Sequence, residues 1–94
     1  FSHAIRKGPL LPPNGEPTRA LFAAEHITAR MPSATELAVG AQVLAAIPFA
    51  TLLYARVDLL LDASGAPCLL ELELTEPSLF FQTDANAVVR FVDA

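Results

Sequence analysis

Two short segments of the sequence alternate charged and apolar side chains. Arg56 and Asp58 alternate with apolar residues in the first segment, and Glu71 and Glu73 do so in the second. Successive side chains of a β-strand point to opposite faces. Each segment therefore predicts a strand with one charged face and one apolar face.

Residues 62–67 separate these two strands and contain Asp, Ser, Gly and Pro, which favour turns. A connection this short predicts an antiparallel hairpin. If Asp58 lies opposite Glu71, then Arg56 lies opposite Glu73, and directly opposed Cβ atoms are about 5 Å apart. The hairpin then places three carboxylates and one arginine on one face.

Such a cluster suggests two interpretations. Carboxylates placed this close repel each other unless a cation neutralises them. Arg56 neutralises one, and a divalent cation would neutralise the others, since carboxylate oxygens are ligands that Mg²⁺ prefers. The alternative is a solvated sheet face with one cross-strand ion pair, which antiparallel sheets commonly have. The spacing alone leaves both interpretations open.

The remaining pattern predicts the elements around this hairpin. Residues 1–7 alternate as a strand does, and residues 10–18 are rich in Pro and predict a loop. Residues 19–29 are ambiguous between a helix and a short strand. The hairpin strands are expected at 52–61 and 68–75.

Two helices are expected. Ser33 and Glu36 form a capping-box pattern, which starts a helix that Pro48 ends. Asp84 is predicted to be the N-cap of a final helix. The predicted fold class is α+β, an antiparallel sheet of three or more strands with two helices packed on one face.

Composition excludes several classes of protein. The 94 residues are 53% hydrophobic and 17% charged, which excludes a disordered chain and leaves room for one small domain. The net charge is −4 and no basic stripe is present, so the footprint of a nucleic-acid binder is missing. Residues 37–55 carry no charge, but Pro48, Gln42 and Gly40 interrupt them, which favours a helix, a loop and a strand over a membrane span.

Three further residues are assigned structural positions. Cys68 is the single cysteine and is expected to be a small buried hydrophobe in a cytoplasmic protein. His3 is expected to be a partly buried structural histidine. His26 has no metal-ligand partner at useful spacing, so we expect an exposed position.

The charged segments also resemble a known family. The segments YARVDLL (54–60) and LELELTEPSLF (70–80) resemble the C-terminal core of ATP-grasp enzymes, in the glutathione-synthetase-like and cycloserine-ligase-like branch. That branch has an Arg-x-Asp strand followed by a Glu-x-Asn or Glu-x-Glu strand. The segment FSHAIRK (1–7) looks like the strand that precedes them. The resemblance thus spans both ends of the chain.

The resemblance implies roles for the hairpin residues. Asp58 and Glu71 would be Mg²⁺ ligands that hold the phosphates of ATP, with Mn²⁺ as a possible substitute. Glu73 stands where many relatives have an Asn ligand, and it would add negative charge to the metal site. Arg56 would be the catalytic residue that faces the transferred phosphate.

Three more cations are assigned to phosphate or substrate binding by the same resemblance. Arg6 and Lys7 are the last two residues of the first predicted strand. Arg19 resembles an arginine on a loop over the substrate, although the glycine pair that often follows it is absent. A solvent-exposed arginine is the equal alternative for Arg19.

The implied function is that of an ATP-dependent and Mg²⁺-dependent ligase. It would join a small-molecule carboxylate to an amine or a similar nucleophile through an acyl phosphate. Residues 1–94 would form a single partial domain, the C-terminal lobe, whose N-terminal lobe belongs to the same protein. Because the family pattern places adenine binding in the missing lobe, we expect this piece to be inactive alone. Its hydrophobic fraction of 53% predicts apolar surface meant for the missing lobe, through which the isolated piece would form homo-oligomers.

Two other functions remain open. One is a non-catalytic α+β interaction module whose charged sheet face binds a basic partner. The other is an ATP-grasp relative that has lost catalysis and is kept for assembly, which the glutamate at position 73 permits.

Overall fold

A computed structural model describes residues 1–8 and 26–94 of the chain. The elements, in chain order, are β1 (Ala4–Lys7), β2 (Ile27–Arg30), α1 (Ala34–Ala45), β3 (Arg56–Leu61), β4 (Pro67–Glu73), a 3₁₀ turn (Phe81–Thr83) and α2 (Ala87–Val92). The predicted loop at 10–18 lies outside the described residues, as does most of the ambiguous segment 19–29. The described end of that segment enters strand β2.

The strands form two antiparallel pairs. β1 pairs with β2, and β3 pairs with β4. The α+β class is confirmed. The single sheet of three or more strands is not found among the described residues, where each strand hydrogen-bonds to one neighbour only and the two hairpin-like pairs remain separate sheets.

Helix α1 begins as the capping box predicts. The Ser33 hydroxyl accepts a hydrogen bond from the Glu36 backbone N–H at 3.2 Å, and the Glu36 carboxylate accepts one from the Ser33 N–H at 2.8 Å. Arg30, the last residue of β2, donates to the same carboxylate at 2.7 Å. At the start of the helix, two backbone N–H donors and the Arg30 guanidinium therefore all find acceptors. The helix packs against β4 and β3.

The prediction for the second helix was wrong in one detail. Asn86, not Asp84, holds the N-cap position of α2. The 3₁₀ turn extends almost to Asp84, and the Asp84 carboxylate accepts from the Asn86 N–H at 2.8 Å and from Arg90 at 2.7 Å. These bonds, the Asn86 bond first, lower the pKa of Asp84. Asp84 thus closes the turn that precedes the helix.

The β3–β4 turn is organised by Asp62. One of its carboxylate oxygens accepts from the Ser64 hydroxyl at 2.6 Å, the Ser64 N–H at 2.8 Å and the Ala66 N–H at 3.0 Å. The Ser64 hydroxyl bond is the main reason why the pKa of Asp62 is lowered. Gly65 has a φ of 82°, a conformation that other residues rarely adopt.

A β-bulge in β4 changes which leucines face the helix. Glu71 lies opposite Asp58 and Leu69 lies opposite Leu59, so Leu70 is the extra residue. An extra residue reverses the alternation of side chains beyond it. Leu69, and not Leu70 as the strict alternation predicted, therefore joins Leu72 and Leu74 in an apolar groove of about 500 Å³ beside α1. Leu70 is 60% exposed.

Burial is slight in the described part of the chain. Ala87 is its only fully buried apolar residue. Cys68 is exposed, which contradicts the prediction of a buried cysteine. It lies beyond the bulge, near the end of the hairpin, where its cross-strand neighbour Leu60 is exposed too.

None of the helices in residues 1–8 and 26–94 has the length and apolar character needed to cross a bilayer.

The capping box provides a test of how α1 is anchored. Ser33→Ala removes the side-chain acceptor for the Glu36 N–H, so we expect the free energy of unfolding to fall by about 1 kcal/mol. Ser33→Asp is the matched control because aspartate also caps helices, and it should retain nearly all of the stability. Denaturant unfolding of both variants measures the difference. Equal losses in the two variants would contradict a role for the side-chain cap.

Candidate functional site

The charged hairpin face has the register that the sequence predicts. Asp58 is paired with Glu71, and Arg56 is paired with Glu73. Both pairs lie on the same side of the bulge, where the two-residue alternation of both strands is intact. Three carboxylates and one guanidinium therefore share one face of a two-stranded sheet.

Arg56 lies among the three carboxylates. Its Nε and Nη2 atoms donate to the two oxygens of Asp58 at 2.9 and 3.0 Å, which is a two-point contact. Nη2 also lies 2.9 Å from Glu73 Oε1 and 3.7 Å from Glu71 Oε2. The Arg56 side chain is 17% exposed and that of Glu71 is 53% exposed. Asp58 and Glu73 are thus held firmly, and Glu71 is the loosest member of the cluster.

The charges of this cluster do not balance. One guanidinium faces three carboxylates, so two negative charges are left uncompensated when all four groups are ionised. The hydrogen bonds that Arg56 donates to Asp58 raise the pKa of Arg56 most, and the charges of Asp58, Glu73 and Glu71 raise it further, while burial partly opposes them. Arg56 therefore remains a cation, and the face retains capacity for a further positive charge.

A loop after β4 lies against this cluster and is attached at three points. Arg56 Nη1 donates to the Ser78 carbonyl at 3.4 Å, and the Glu76 N–H donates to the Tyr54 hydroxyl at 3.3 Å. His3 Nε2 lies 2.6 Å from the Leu79 carbonyl. His3 is partly buried, as predicted, and this contact joins the N-terminal segment to the loop.

Phe80 brings a second cation towards the cluster. The ammonium of Lys7 lies 5.1 Å from the centroid of the Phe80 ring, and the guanidinium carbon of Arg56 lies 6.0 Å from it. Lys7 and Arg56 come from different sheets and share this one aromatic neighbour. Of the four predicted cations, these are the two that the described structure brings together.

A third predicted cation, Arg6, does not join them. Arg6 is exposed and lies next to Lys7 in β1, so its side chain points to the opposite face of that strand. Arg19 lies outside the described residues. His26 is exposed, as predicted.

Sequence reasoning missed the loop contacts. The Tyr54 hydroxyl, the Leu79 carbonyl and the Phe80 ring carry no charge pattern, so alternation of charged residues does not find them. The only signal was their position inside the two segments that resemble a known family. Their roles depend on the path of the loop, which the backbone conformation decides.

The described residues contain no group of three His, Cys, Asp or Glu side chains arranged to hold a metal ion. The acidic side chains of the hairpin are instead engaged with Arg56.

Comparison with known proteins gives one informative similarity. The chain is 37% identical over 102 aligned residues to the cycloserine biosynthesis protein DcsG of Streptomyces lavendulae, an alignment that covers all of this chain and 32% of the relative. The chain thus spans about a third of the length of the curated relative it matches. No family model and no solved structure matches. The chain is therefore a distant homologue of a biosynthesis protein.

The charge imbalance predicts the effect of removing Arg56. In Arg56→Met the three carboxylates lose their counter-ion, so we expect the free energy of unfolding at pH 7 to fall by about 1 to 2 kcal/mol, between the values for exposed and buried pairs. Because folding raises the pKa of Arg56, its contribution is complete below the ordinary pKa of arginine and is lost only at strongly alkaline pH.

Arg30→Met is the matched control for this measurement. Among the described residues, Arg30 forms an ion pair only with Glu36, so its removal leaves no group of like charges there. Its deficit should be smaller, at most about 1 kcal/mol. Urea unfolding at pH 7 compares the variants, and a deficit in Arg56→Met no larger than that of Arg30→Met would argue against repulsion within the cluster.

Proposed function

We propose that the chain is the C-terminal lobe of an ATP-grasp ligase, and that its charged hairpin face provides the metal and phosphate site. One observation carries this proposal. Asp58 and Glu71 lie directly opposite each other, and the Arg56 guanidinium forms ion pairs with both of them and with Glu73. The similarity to a cycloserine biosynthesis protein supports a biosynthetic role for the same site.

The donor set fits Mg²⁺. Mg²⁺ prefers oxygen ligands, and in nucleotide sites one or two carboxylates and the substrate phosphates usually bind it together with water. Asp58 and Glu71 would supply the two carboxylates. Glu71 is the most exposed of the three and the farthest from Arg56, so it is the carboxylate most easily turned towards a metal ion. Glu73 would add a third oxygen donor, and Mn²⁺ would suit the same set.

Arg56 would then serve as the catalytic cation. Phosphoryl transfer depends mostly on positioning and on cations that offset developing negative charge. The two-point bond to Asp58 orients the guanidinium plane, and the raised pKa keeps it charged. An arginine held in this way provides a fixed positive charge for the oxygens of a transferred phosphoryl group.

ATP would supply the phosphoryl group to a small-molecule carboxylate. A substrate oxygen would bond to the γ-phosphorus as the bond to ADP breaks, and an amine-like nucleophile would then displace phosphate from the acyl carbon. Lys7 would contact the phosphates together with Arg56. Arg6 and Arg19 would also bind the substrate or the phosphates.

The remainder of such a ligase would come from the rest of a longer polypeptide. The curated relative is about three times as long as this chain. We propose that residues 1–94 form one lobe, that adenine binding belongs to an N-terminal lobe and that the isolated chain lacks ligase activity. We also propose a cytoplasmic enzyme that has small-molecule substrates, does not bind nucleic acid and self-associates as an isolated lobe.

A second candidate is a non-catalytic module that binds a basic partner. It is favoured by the 53% exposure of Glu71 and by the uncompensated negative charges on the hairpin face. A relative that has lost catalysis would share this surface, so metal binding separates the two candidates most directly.

A metal titration tests the proposed site. We expect the double variant Asp58→Asn with Glu71→Gln to lose Mn²⁺ affinity by at least about tenfold, both in the presence and in the absence of ADP, because both carboxylate ligands are neutralised. Water-proton relaxation measures Mn²⁺ binding directly.

The matched control is Glu36→Gln with Asp93→Asn. It removes the same two charges outside the cluster, and glutamine preserves the capping box of α1. Its Mn²⁺ affinity should stay within about twofold of the parent chain. Equal losses in both double variants would favour the interaction module over the ligase.

A further inference from the structure

Phe80 has a backbone conformation that ordinary residues avoid. Its φ and ψ are 51° and 40°, in the left-handed region. This conformation costs a residue other than glycine about 1 to 2 kcal/mol. Glycine would adopt it freely, so the contacts of the phenylalanine side chain and backbone must offset the cost.

The backbone contacts of Phe80 fix the start of the 3₁₀ turn. Its carbonyl accepts from the Thr83 N–H at 3.0 Å and from the Thr83 hydroxyl at 2.8 Å. A glycine at position 80 would make both of these bonds. The backbone therefore does not explain why the residue is aromatic.

The contacts of the ring with two cations explain better why residue 80 is aromatic. The face of an aromatic ring attracts cations within about 6 Å of its centroid, and both Lys7 and Arg56 meet that distance. Arg56 is also fixed by carboxylates. Among residues 1–8 and 26–94, no carboxylate lies within 4.0 Å of the Lys7 ammonium, whereas the Phe80 ring centroid lies 5.1 Å from it.

The loop holds the ring in place between the two sheets. Arg56 is bonded to the Ser78 carbonyl, and His3 contacts the Leu79 carbonyl. These contacts attach the two residues before Phe80 to β3 and to the segment that leads into β1. The ring therefore stays beside Lys7 and Arg56 as long as both anchors persist.

We propose that Phe80 is a positioning residue that holds the Lys7 ammonium and the Arg56 guanidinium beside one ring so that both cations act on the same polyphosphate. This role rests on the proposed ATP-dependent function. Two cations attached to separate sheets repel each other and would otherwise diverge. The ring offsets part of that repulsion without neutralising either charge, which a carboxylate in its place would do.

The first measurement needs no ligand. Proton NMR of the chain follows the side-chain resonances of Lys7 and Arg56, which a nearby aromatic ring shifts. Phe80→Leu should move both sets towards ordinary values, and Phe80→Tyr should retain the shifts. All three residues have a side chain at the same left-handed position, so the backbone cost is similar and the comparison isolates the ring.

The second measurement uses MgADP as the probe, with binding followed by calorimetry on the longest form of the protein that carries this chain. We expect Phe80→Leu to weaken binding by about 3- to 10-fold and Phe80→Tyr to restore it. Combined with Lys7→Met, the Phe80→Leu effect should largely disappear, because the two substitutions disrupt one contact. Phe91→Leu is the control, since Phe91 packs against Tyr54 and Phe81.

The two measurements separate the two proposals. If the resonances of Lys7 and Arg56 do not respond to Phe80→Leu in a folded chain, the positioning role is overturned. If they respond and the parent protein does not bind MgADP, the positioning of the cations is supported and the ATP-dependent function is overturned. If MgADP binds and Phe80→Leu weakens it no more than Phe91→Leu does, the ring does not serve phosphate binding.

Discussion

The arrangement around the β3–β4 hairpin depends on one guanidinium. Arg56 meets Asp58 through two atoms, contacts Glu73 at 2.9 Å and lies near Glu71. Without it the hairpin face would hold three like charges at cross-strand distance, where repulsion opposes strand pairing. With it the strands pair, and the loop after β4 gains its bond to the Ser78 carbonyl. One cation thus supports the sheet and directs the path of the loop.

The dependence of the structure on Arg56 is greater because hydrophobic burial contributes little to the stability of the described residues. Ala87 is their only fully buried apolar residue, and large apolar side chains such as Phe49, Leu61 and Val92 are more than half exposed. Polar contacts therefore define more of the described geometry than in a domain with a large core. The capping box of α1 and the Asp62 turn are contacts of this kind, since each satisfies several backbone donors at once.

The same loop connects the local structure to the proposed chemistry. Glu76 and Phe80 both have positive φ values, at 54° and 51°. Strain of this kind persists only where surrounding contacts over-determine the backbone. Here those contacts come from His3 near the N-terminus and from Tyr54 and Arg56, so two segments that are distant in the chain supply them. A site built in this way presents its cations in a fixed arrangement, which phosphoryl transfer requires.

The sequence by itself determined the features that depend on near neighbours. The capping box of α1 and the opposition of Asp58 and Glu71 followed from spacing, because a helix start and a short antiparallel turn leave few alternatives. Tertiary structure decided the rest. The bulge at Leu70 put Leu69 on the helix side, and the tertiary structure leaves Cys68 exposed near the hairpin end. Whether the three carboxylates also bind a metal ion stays a prediction.

The contacts of the Phe80 ring with Lys7 and Arg56 show most clearly what the sequence determines and what the tertiary structure decides. The sequence specifies these three residues, but 73 positions separate Lys7 from Phe80 along the chain. Their approach depends on the left-handed backbone at Phe80 and on the anchors of the loop. Local pattern does not encode such an approach, because backbone torsions and packing between distant segments decide it together.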